Sequence, residues 1–211
     1  LLDGDQGANT GGMGAYSPAP IVTPTLHAKI LREIIDPTLR GLQQDGIYYT
    51  GFLYAGLMIS PDNEVKVLEF NCRMGDPETQ VIMPRLKSDP TVLFEAALNG
   101  DLDNIEIEWD RRCAVGVVLA AANYPAKPRT GDIISGLNAD IPNTVVFHAG
   151  TVLKENTVET SGGRVLCVVG QGDTFKMAQK LAYERAETIM FEGRQMRGDI
   201  GNRALRTHQV S

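Results

Sequence analysis

Three observations predict an α+β chain in two parts. First, two mainly apolar segments, 48–59 and 65–71, flank a turn of Ser, Pro, Asp and Asn, a pattern typical of a β-hairpin. Second, acidic residues cluster over 101–110. Third, short apolar runs beyond that cluster alternate with Gly, Pro and Asn and end in an amphipathic segment, which is typical of a small α+β domain. We therefore predict a first domain over 1–104 and a small α+β domain over 105–211.

The first domain is predicted to begin with a loop and continue with a helix. Residues 3–20 are rich in glycine, so we expect a loop that cannot hold regular structure. Thr23 and Pro24 fit an N-cap followed by proline at the first helical position. Pro37 should bend or restart the helix that begins there. After the hairpin, short helices are expected over 79–86 and 91–98.

The second domain is predicted to contain short strands followed by one helix. Apolar runs bounded by turn residues indicate the strands. These runs span 114–122, 145–149, 152–153 and 164–169. Asp173 fits the N-cap of the helix, because apolar residues recur at helical spacing from Phe175 to Ile189.

Composition and charge argue against several classes of function. The net charge of −6 disfavours a nucleic-acid partner held by bulk electrostatics. No apolar run approaches the ~18 residues that a membrane span requires, so we expect no membrane association. The three cysteines are far apart and form no CxxC pair, which predicts reduced thiols in the cytoplasm rather than a disulfide scaffold or a zinc site. The chain starts without Met at Leu1, and we expect a truncated or cleaved polypeptide.

The strongest candidate site is the end of the second hairpin strand. Strand side chains alternate between two faces, so Glu69, Asn71 and Arg73 should project from one face, roughly 6.6–7 Å apart. A carboxylate and an amide oxygen at that spacing suit Mg²⁺, and a guanidinium beyond them suits a phosphate. Taken alone, the pattern also fits an ordinary solvated strand face. Neighbouring motifs favour the metal–phosphate site.

Two flanking segments have the composition of anion-binding elements. The loop over 9–14 contains three glycines, and its backbone N–H groups can cradle a phosphate or carboxylate. Segment 75–80 places Asp76 and Glu78 in a tight turn before a helix whose N-terminus favours an anion. Each segment alone also fits a plain structural turn.

The histidines offer no catalytic arrangement. His27 is expected on a helix surface, His148 is expected to be structural, and His208 is expected in a C-terminal tail. No Ser-His-Asp or Cys-His set can be assembled from their positions.

Three motifs together resemble the phosphoribosylamine–glycine ligases, ATP-grasp enzymes that are also called glycinamide ribonucleotide synthetases. The motifs span residues 9–18, 49–58 and 69–80. Segments of the second half agree as well, at 129–132, 147–151, 162–166 and 199–201. The resemblance covers essentially the whole chain. It implies the second part of an ATP-grasp catalytic domain, with a largely antiparallel sheet and helices, followed by a small α+β C-terminal domain.

The resemblance also implies a reaction of purine biosynthesis. In this family ATP phosphorylates the carboxylate of glycine, and the amine of 5-phosphoribosylamine then displaces phosphate. The products are glycinamide ribonucleotide, ADP and phosphate. ATP and Mg²⁺ (or Mn²⁺) are therefore the expected cofactors, and glycine and 5-phosphoribosylamine the expected substrates.

Residue roles follow from the same resemblance. Glu69 and Asn71 match the metal ligands of the family, and Arg73 would contact the transferring phosphoryl group as the catalytic residue. Six further residues would bind substrate or phosphate: Asn9, Gly11, Gly12, Asp76, Glu78 and Thr79. The preceding strand segment, 51–59, contains no acid. Glu69 would therefore bridge two ions, or ATP would hold one ion.

Two alternatives stay open. The chain also fits another ATP-grasp carboxylate–amine ligase, although the turn at 75–80 argues against it. It also fits a non-catalytic half that needs a separate N-terminal chain, although the intact Glu69, Asn71 and Arg73 argue against a remnant without function. Family members are much longer than 211 residues and carry their ATP lid in the N-terminal half. We expect that half as a partner, and we expect the 211-residue chain alone to be inactive.

Overall fold

The computed structural model describes residues 1–207, so His208 lies outside the described residues. The chain divides into two compact units. Unit 1 contains Leu1–Pro18, Asp76–Lys87 and Trp109–Ser211; unit 2 contains Ala19–Gly75 and Ser88–Glu108. The domain boundary between residues 104 and 105 remains a prediction. The two compact units are each assembled from separate segments of the chain instead. The reason is strand pairing, because a strand near the N-terminus joins the sheet of the second half.

Unit 1 is built on a four-stranded sheet with the order β1-β4-β8-β5. The strands are β1 (Gly14–Ser17), β4 (Cys113–Ala120), β5 (Thr144–His148) and β8 (Arg164–Gly172). All three pairs are antiparallel. Tyr16 pairs with Val115, and Val117 pairs with Val168. The two central strands are almost continuously buried, as expected for strands covered on both faces.

Besides two short 3₁₀ segments, the described part of unit 1 also contains three α-helices and a hairpin. They are α3 (Glu78–Ile82), α5 (Phe175–Glu187), α6 (Asn202–Thr207), β6 (Thr151–Lys154) and β7 (Thr157–Thr160). The predicted cap of α5 is wrong by one residue. Thr174 is the N-cap, and its Oγ1 accepts a hydrogen bond from the Met177 amide at 3.2 Å. Strand β7 was not predicted.

Glycines allow helices to lie against both faces of this sheet. A Cβ at Gly116 would come within 2.9 Å of the Val81 side chain on α3. A Cβ at Gly170 would meet the backbone of α5 at Ala182, with 2.5 Å to its nitrogen. Gly116 and Val169 are register partners, so Gly170 faces the other side. Helices α3 and α5 therefore cover opposite faces of the sheet.

The prediction of an irregular loop over 3–20 is wrong in part. Residues Asp3–Asp5 form a 3₁₀ turn, and Gly14–Ser17 form β1. Gly14 lies so close to β4 that a Cβ there would come within 2.6 Å of both the Gly116 oxygen and the Ile200 side chain. The glycine thus permits close strand packing here rather than a loop.

Unit 2 contains three helices and the predicted hairpin. Its elements are α1 (Pro24–Ile30), a π-helical turn (Leu31–Ile35), α2 (Asp36–Gln44), β2 (Tyr54–Ile59), β3 (Val65–Asn71) and α4 (Pro90–Asn99). The Thr23 cap is confirmed, because its Oγ1 accepts from the Leu26 amide at 3.2 Å. The restart near Pro37 is also confirmed. Strand β2 begins at Tyr54 rather than at Tyr48.

None of the helices described within residues 1–207 combines the length and apolarity needed to cross a membrane.

Candidate functional site

The hairpin of unit 2 places Glu69 and Asn71 at the end of β3. Glu69 is the register partner of Gly56, and Asn71 is the partner of Tyr54. The register shifts between Gly56 and Leu57, which leaves Leu68 as the extra residue of a β-bulge just before Glu69. Bulges re-aim neighbouring side chains and occur often beside active sites.

Gly56 leaves room for the Glu69 side chain. A Cβ at position 56 would lie 3.1 Å from Glu69 Cγ, which is tighter than an ordinary van der Waals contact. Glu69 is exposed, so its stem lies over the bare glycine backbone while its carboxylate reaches solvent. The strand pair thus fixes the position from which the Glu69 side chain extends, while its carboxylate remains exposed to solvent.

The Asn71 amide has an unsatisfied atom. Its Nδ2 is buried and has no hydrogen-bond partner within residues 1–207. Such atoms are uncommon in folded proteins, and they fit a position that accommodates a polar ligand. A carboxylate and an amide also supply the oxygen donors that a hard divalent cation prefers. No group of three or more His, Cys, Asp or Glu side chains with metal-binding geometry occurs within the described residues.

Arg73 does not continue the strand face. Strand β3 ends at Asn71, so the alternation that relates Glu69 and Asn71 does not extend to Arg73. The arginine is exposed, and its Nη1 donates to the Met74 carbonyl oxygen at 2.9 Å. The prediction that all three side chains project from one strand is therefore wrong for Arg73, because the chain turns before reaching it.

In unit 1, one guanidinium connects two of the predicted substrate-binding segments. Arg164, the first residue of β8, donates through Nη1 to the Gly11 oxygen at 2.5 Å and to the Gly12 oxygen at 3.3 Å. The same Nη1 donates to the Asp76 carbonyl oxygen at 2.8 Å. Its Nη2 donates to Asp76 Oδ2 at 2.9 Å. The glycine loop and the Asp76 turn are thereby brought together.

The glycines at this junction are required by the packing. A Cβ at Gly12 would lie 2.9 Å from Pro77 Cδ, and its φ of +99° is one that other residues rarely adopt. A Cβ at Gly11 would lie 3.2 Å from Arg164 Cζ. The Gly11 amide donates to the Tyr124 hydroxyl at 3.2 Å.

The other predicted substrate residues occupy the same unit with fewer contacts. Asp76 Oδ1 accepts from Gln80 Nε2 at 3.1 Å, so both carboxylate oxygens of Asp76 already accept hydrogen bonds. Glu78 begins α3, which has only five residues, and Thr79 follows it. Asn9 is exposed in the loop.

Sequence reasoning missed Arg164 and Tyr124 as members of this cluster. The sequence signal for Arg164 is its place after Gly162 and Gly163, at the start of an apolar strand. Its partners lie 88 and 153 residues away along the chain, so no local pattern connects them.

A cleft of about 700 Å³ in unit 1 is lined by the 3₁₀ turn, by part of β1, by the predicted substrate residue Glu78 and by residues between Arg197 and Arg206. Its polar groups largely pair with one another. Arg197 contacts Asp199 at 2.7 Å and Asp5 at 3.0 Å. The hydrogen bonds from Arg197 hold the pKa of Asp199 at about 2.

His148 and Cys167 have structural surroundings. His148 Nδ1 lies 3.0 Å from Thr151 Oγ1, a partner that agrees with the predicted structural role. All three cysteines are free thiols. Burial raises the pKa of the Cys167 thiol to about 12, so this thiol is a core residue.

Two family models match the chain in succession. The model described as "Phosphoribosylglycinamide synthetase, ATP-grasp (A) domain" matches residues 1–79. The model described as "Phosphoribosylglycinamide synthetase, C domain" matches residues 114–203.

Curated relatives agree with these matches. A phosphoribosylamine–glycine ligase of Ralstonia nicotianae is 63% identical over 98% of this chain and 49% of its own length. Its counterpart in Neisseria meningitidis is 56% identical over 97% of this chain and 49% of its own length. The chain thus spans about half the length of the curated relatives it matches.

Solved structures support the fold. The crystal structure of phosphoribosylamine–glycine ligase from Thermotoga maritima matches with a TM-score of 0.81 and 40% identity, over 94% of this chain and 49% of that one. The biotin carboxylase domain of a thermophilic 2-oxoglutarate carboxylase matches with a TM-score of 0.61 and 12% identity, over 87% of this chain and 41% of that one. The second similarity concerns the fold alone, and the ATP-grasp prediction is confirmed by the family model that matches residues 1–79. The chain belongs to the phosphoribosylglycinamide synthetase family, whose ATP-grasp and C domains it matches in order.

Proposed function

We propose that this chain is the C-terminal part of a phosphoribosylamine–glycine ligase. The enzyme would join glycine to 5-phosphoribosylamine through a glycyl phosphate, and it would release ADP and phosphate. The observation that carries this function is the pairing of Glu69 and Asn71 at the end of β3, with Gly56 opposite Glu69. In a chain of this family, the carboxylate of Glu69 and the amide of Asn71 would supply the oxygen donors that a nucleotide-bound cation needs.

Each unit would contribute a separate task. In unit 2, Glu69 and Asn71 would hold Mg²⁺ or Mn²⁺. The metal, when bound, would neutralise charge on the ATP phosphates. Arg73 is exposed and would contact the transferring phosphoryl group, because a guanidinium can donate two hydrogen bonds to phosphate oxygens.

Unit 1 would hold the acceptor. Asn9, Gly11, Gly12 and the turn from Asp76 to Thr79 would bind glycine and 5-phosphoribosylamine. Each substrate carries an anionic group, the carboxylate of glycine or the phosphate of 5-phosphoribosylamine, so fixed backbone N–H groups can orient them at little entropic cost. We also place the enzyme in the cytoplasm, a location that its three free thiols support.

A chimera tests this function. The chain replaces the matching half of the Ralstonia nicotianae ligase, to which it is 63% identical over 206 residues. We expect formation of glycinamide ribonucleotide and of ADP that depends on both glycine and 5-phosphoribosylamine. A folded chimera without this activity, beside an active parent enzyme, would overturn the proposal.

The 211-residue chain provides the matched control. We expect no ligase activity from this chain alone, because the ATP lid of the family lies in the other half. Activity restored by adding the separate N-terminal half would favour a two-chain enzyme. Activity of the chain alone would contradict the predicted need for a partner half.

A further inference from the structure

Arg164 has contacts that no assigned role explains. Its guanidinium is largely buried, with 21% of the side chain exposed, and it touches only groups of the glycine loop and the Asp76 turn among its hydrogen-bond partners. Arg164 therefore joins two segments that are far apart in sequence.

The direction of these carbonyl groups fixes the direction of the amides. In a trans peptide the N–H points opposite to the C=O. The Gly11 and Gly12 oxygens face Arg164, so the N–H groups of Gly12 and Met13 point away from it. Two successive N–H groups of a loop form an anion-binding concavity. Arg164 thus determines which side of the loop can receive an anion.

Arg164 directs most of its hydrogen-bonding capacity to the protein. Its Nη1 shares two hydrogens among three carbonyl oxygens, and its Nη2 pairs with Asp76 Oδ2. Gly11 lies so near the guanidinium that a Cβ at position 11 would come within 3.2 Å of Arg164 Cζ. Three of the five N–H hydrogens of Arg164 are therefore engaged within the protein, which fits a residue that positions the two segments.

We propose that Arg164 is a positioning residue of the acceptor site. It holds the Gly11–Gly12 loop and the Asp76 turn so that the Gly12 and Met13 amides receive an anionic oxygen of a substrate. That oxygen belongs to the carboxylate of glycine or to the phosphate of 5-phosphoribosylamine. This inference rests on the proposed function.

Kinetics of the chimera test the role. In Arg164→Ala we expect the KM of one of the two acceptor substrates to rise at least tenfold, while the KM of ATP changes less than twofold. The substrate that responds identifies the anion.

Guanidinium ion at millimolar concentration should restore part of the lost affinity in Arg164→Ala, because it can occupy the vacated volume. Arg129→Met is the matched control, since Arg129 pairs with Asp132 at 2.9 Å on the surface of the same unit.

A second measurement separates positioning from general stability. Amide hydrogen exchange on the 211-residue chain should become at least tenfold faster at residues 7–13 and 75–79 in Arg164→Ala, and it should stay unchanged in β4. If the alanine variant does not fold, Arg164→Lys decides, because lysine keeps the charge but cannot join the two segments with a planar fork.

The possible failures are distinguishable. An inactive chimera with the native Arg164 would overturn the proposed function, and hydrogen exchange would still test the positioning role. A folded Arg164→Ala or Arg164→Lys variant with unchanged KM values would overturn the inference. So would unchanged exchange in both segments.

Discussion

Glu69 on β3 and Gly56 on β2 face each other as register partners, and the glycine leaves the space over which the glutamate stem lies. The β-bulge at Leu68 precedes this pair directly. The carboxylate is therefore aimed by two backbone features, a missing Cβ and an extra residue. Neither feature contributes a functional group of its own.

Adding a methyl group at position 56 should impair catalysis more than stability. In Gly56→Ala the new Cβ would lie 3.1 Å from Glu69 Cγ, so the glutamate must move by a few tenths of an ångström. We expect the kcat of the chimera to fall about tenfold, since small misplacements of reacting groups are costly. The Mg²⁺ concentration for half-maximal rate should rise.

Gly41→Ala is the control for this variant. Gly41 lies in α2 with open space at its Cβ position, and alanine there should stabilise the helix by about 0.5–1 kcal/mol. Equal kinetics for Gly56→Ala and Gly41→Ala would contradict the aiming of Glu69 by Gly56.

Removing the charge of Glu69 should abolish turnover. A metal ligand is worth several kcal/mol at the transition state, and a loss of about 4 kcal/mol corresponds to roughly a 10³-fold lower rate. ADP release by the Glu69→Gln chimera measures this. Glu64→Gln, at the turn of the same hairpin, should retain the parent rate. Near-normal turnover in Glu69→Gln would refute the assignment of this residue.

The loop at Gly136 should tolerate no side chain. A Cβ there would overlap the Thr188 carbonyl oxygen, and φ is +79°. We expect Gly136→Ala to lower the free energy of unfolding by about 3 kcal/mol or more. Fluorescence of Trp109, the single tryptophan and a residue of unit 1, follows the unfolding in urea.

Gly4→Ala separates backbone strain from overlap. Gly4 has a φ of +67° but nothing within 4 Å of its Cβ position, so alanine should cost about 1–2 kcal/mol. Similar losses for the two variants would show that overlap at position 136 is relieved by movement of the loop.

The network around Arg197 should make stability depend on acidic pH. Hydrogen bonds from Arg197 lower the pKa of Asp199 to about 2, from an ordinary value of 3.8. A lowered pKa in the folded state means that the stabilisation is complete above the unfolded value and is lost as the pH falls toward 2. We therefore expect the free energy of unfolding of the native chain to decrease as the pH falls from about 5 to about 2.

Asp199→Asn should remove this part of the pH dependence. At pH 5 we expect the free energy of unfolding to be lower for Asp199→Asn than for the native chain, and this difference should shrink toward pH 2. Urea unfolding at several pH values measures it. Asp140→Asn is the control, because Asp140 is exposed and forms no ion pair among residues 1–207. A constant difference between native chain and Asp199→Asn across this range would contradict the prediction.

The cysteines should differ sharply in reactivity. Cys72 is exposed, whereas burial raises the pKa of the Cys167 thiol to about 12. Thiolates are the reactive species, so iodoacetamide at neutral pH should label Cys72 quickly and Cys167 only after unfolding. Mass spectrometry of peptides at successive times measures the order. Early labelling of Cys167 would show that β8 opens readily.

Local rules predicted the parts of the fold that depend on neighbouring residues. Thr23 caps α1 because its hydroxyl reaches an amide three residues ahead. Pro37 marks a restart because it lacks an N–H. Alternation along β3 placed Glu69 and Asn71 together but failed at Arg73, since the strand ends two residues earlier.

Long-range packing explains what the sequence did not reveal. Gly14 lies in a glycine-rich run that predicts a loop, yet it pairs with β4 as the first residue of β1. Strand β7 has four residues, too few for a clear pattern. Arg164 sits among strand residues, and its partners become neighbours only when the sheet forms.

The antiparallel pairing of Tyr16 with Val115 has a consequence for biosynthesis. Closing a loop of roughly 100 residues costs about 4 kcal/mol of chain entropy, so β1 gains a partner only after β4 has left the ribosome. The centre of the sheet also needs β8, which ends at Gly172. Unit 1 therefore completes late during translation. Until then β1 has open edges that other chains can pair with, and we expect a chaperone that shields them to raise the yield of folded protein.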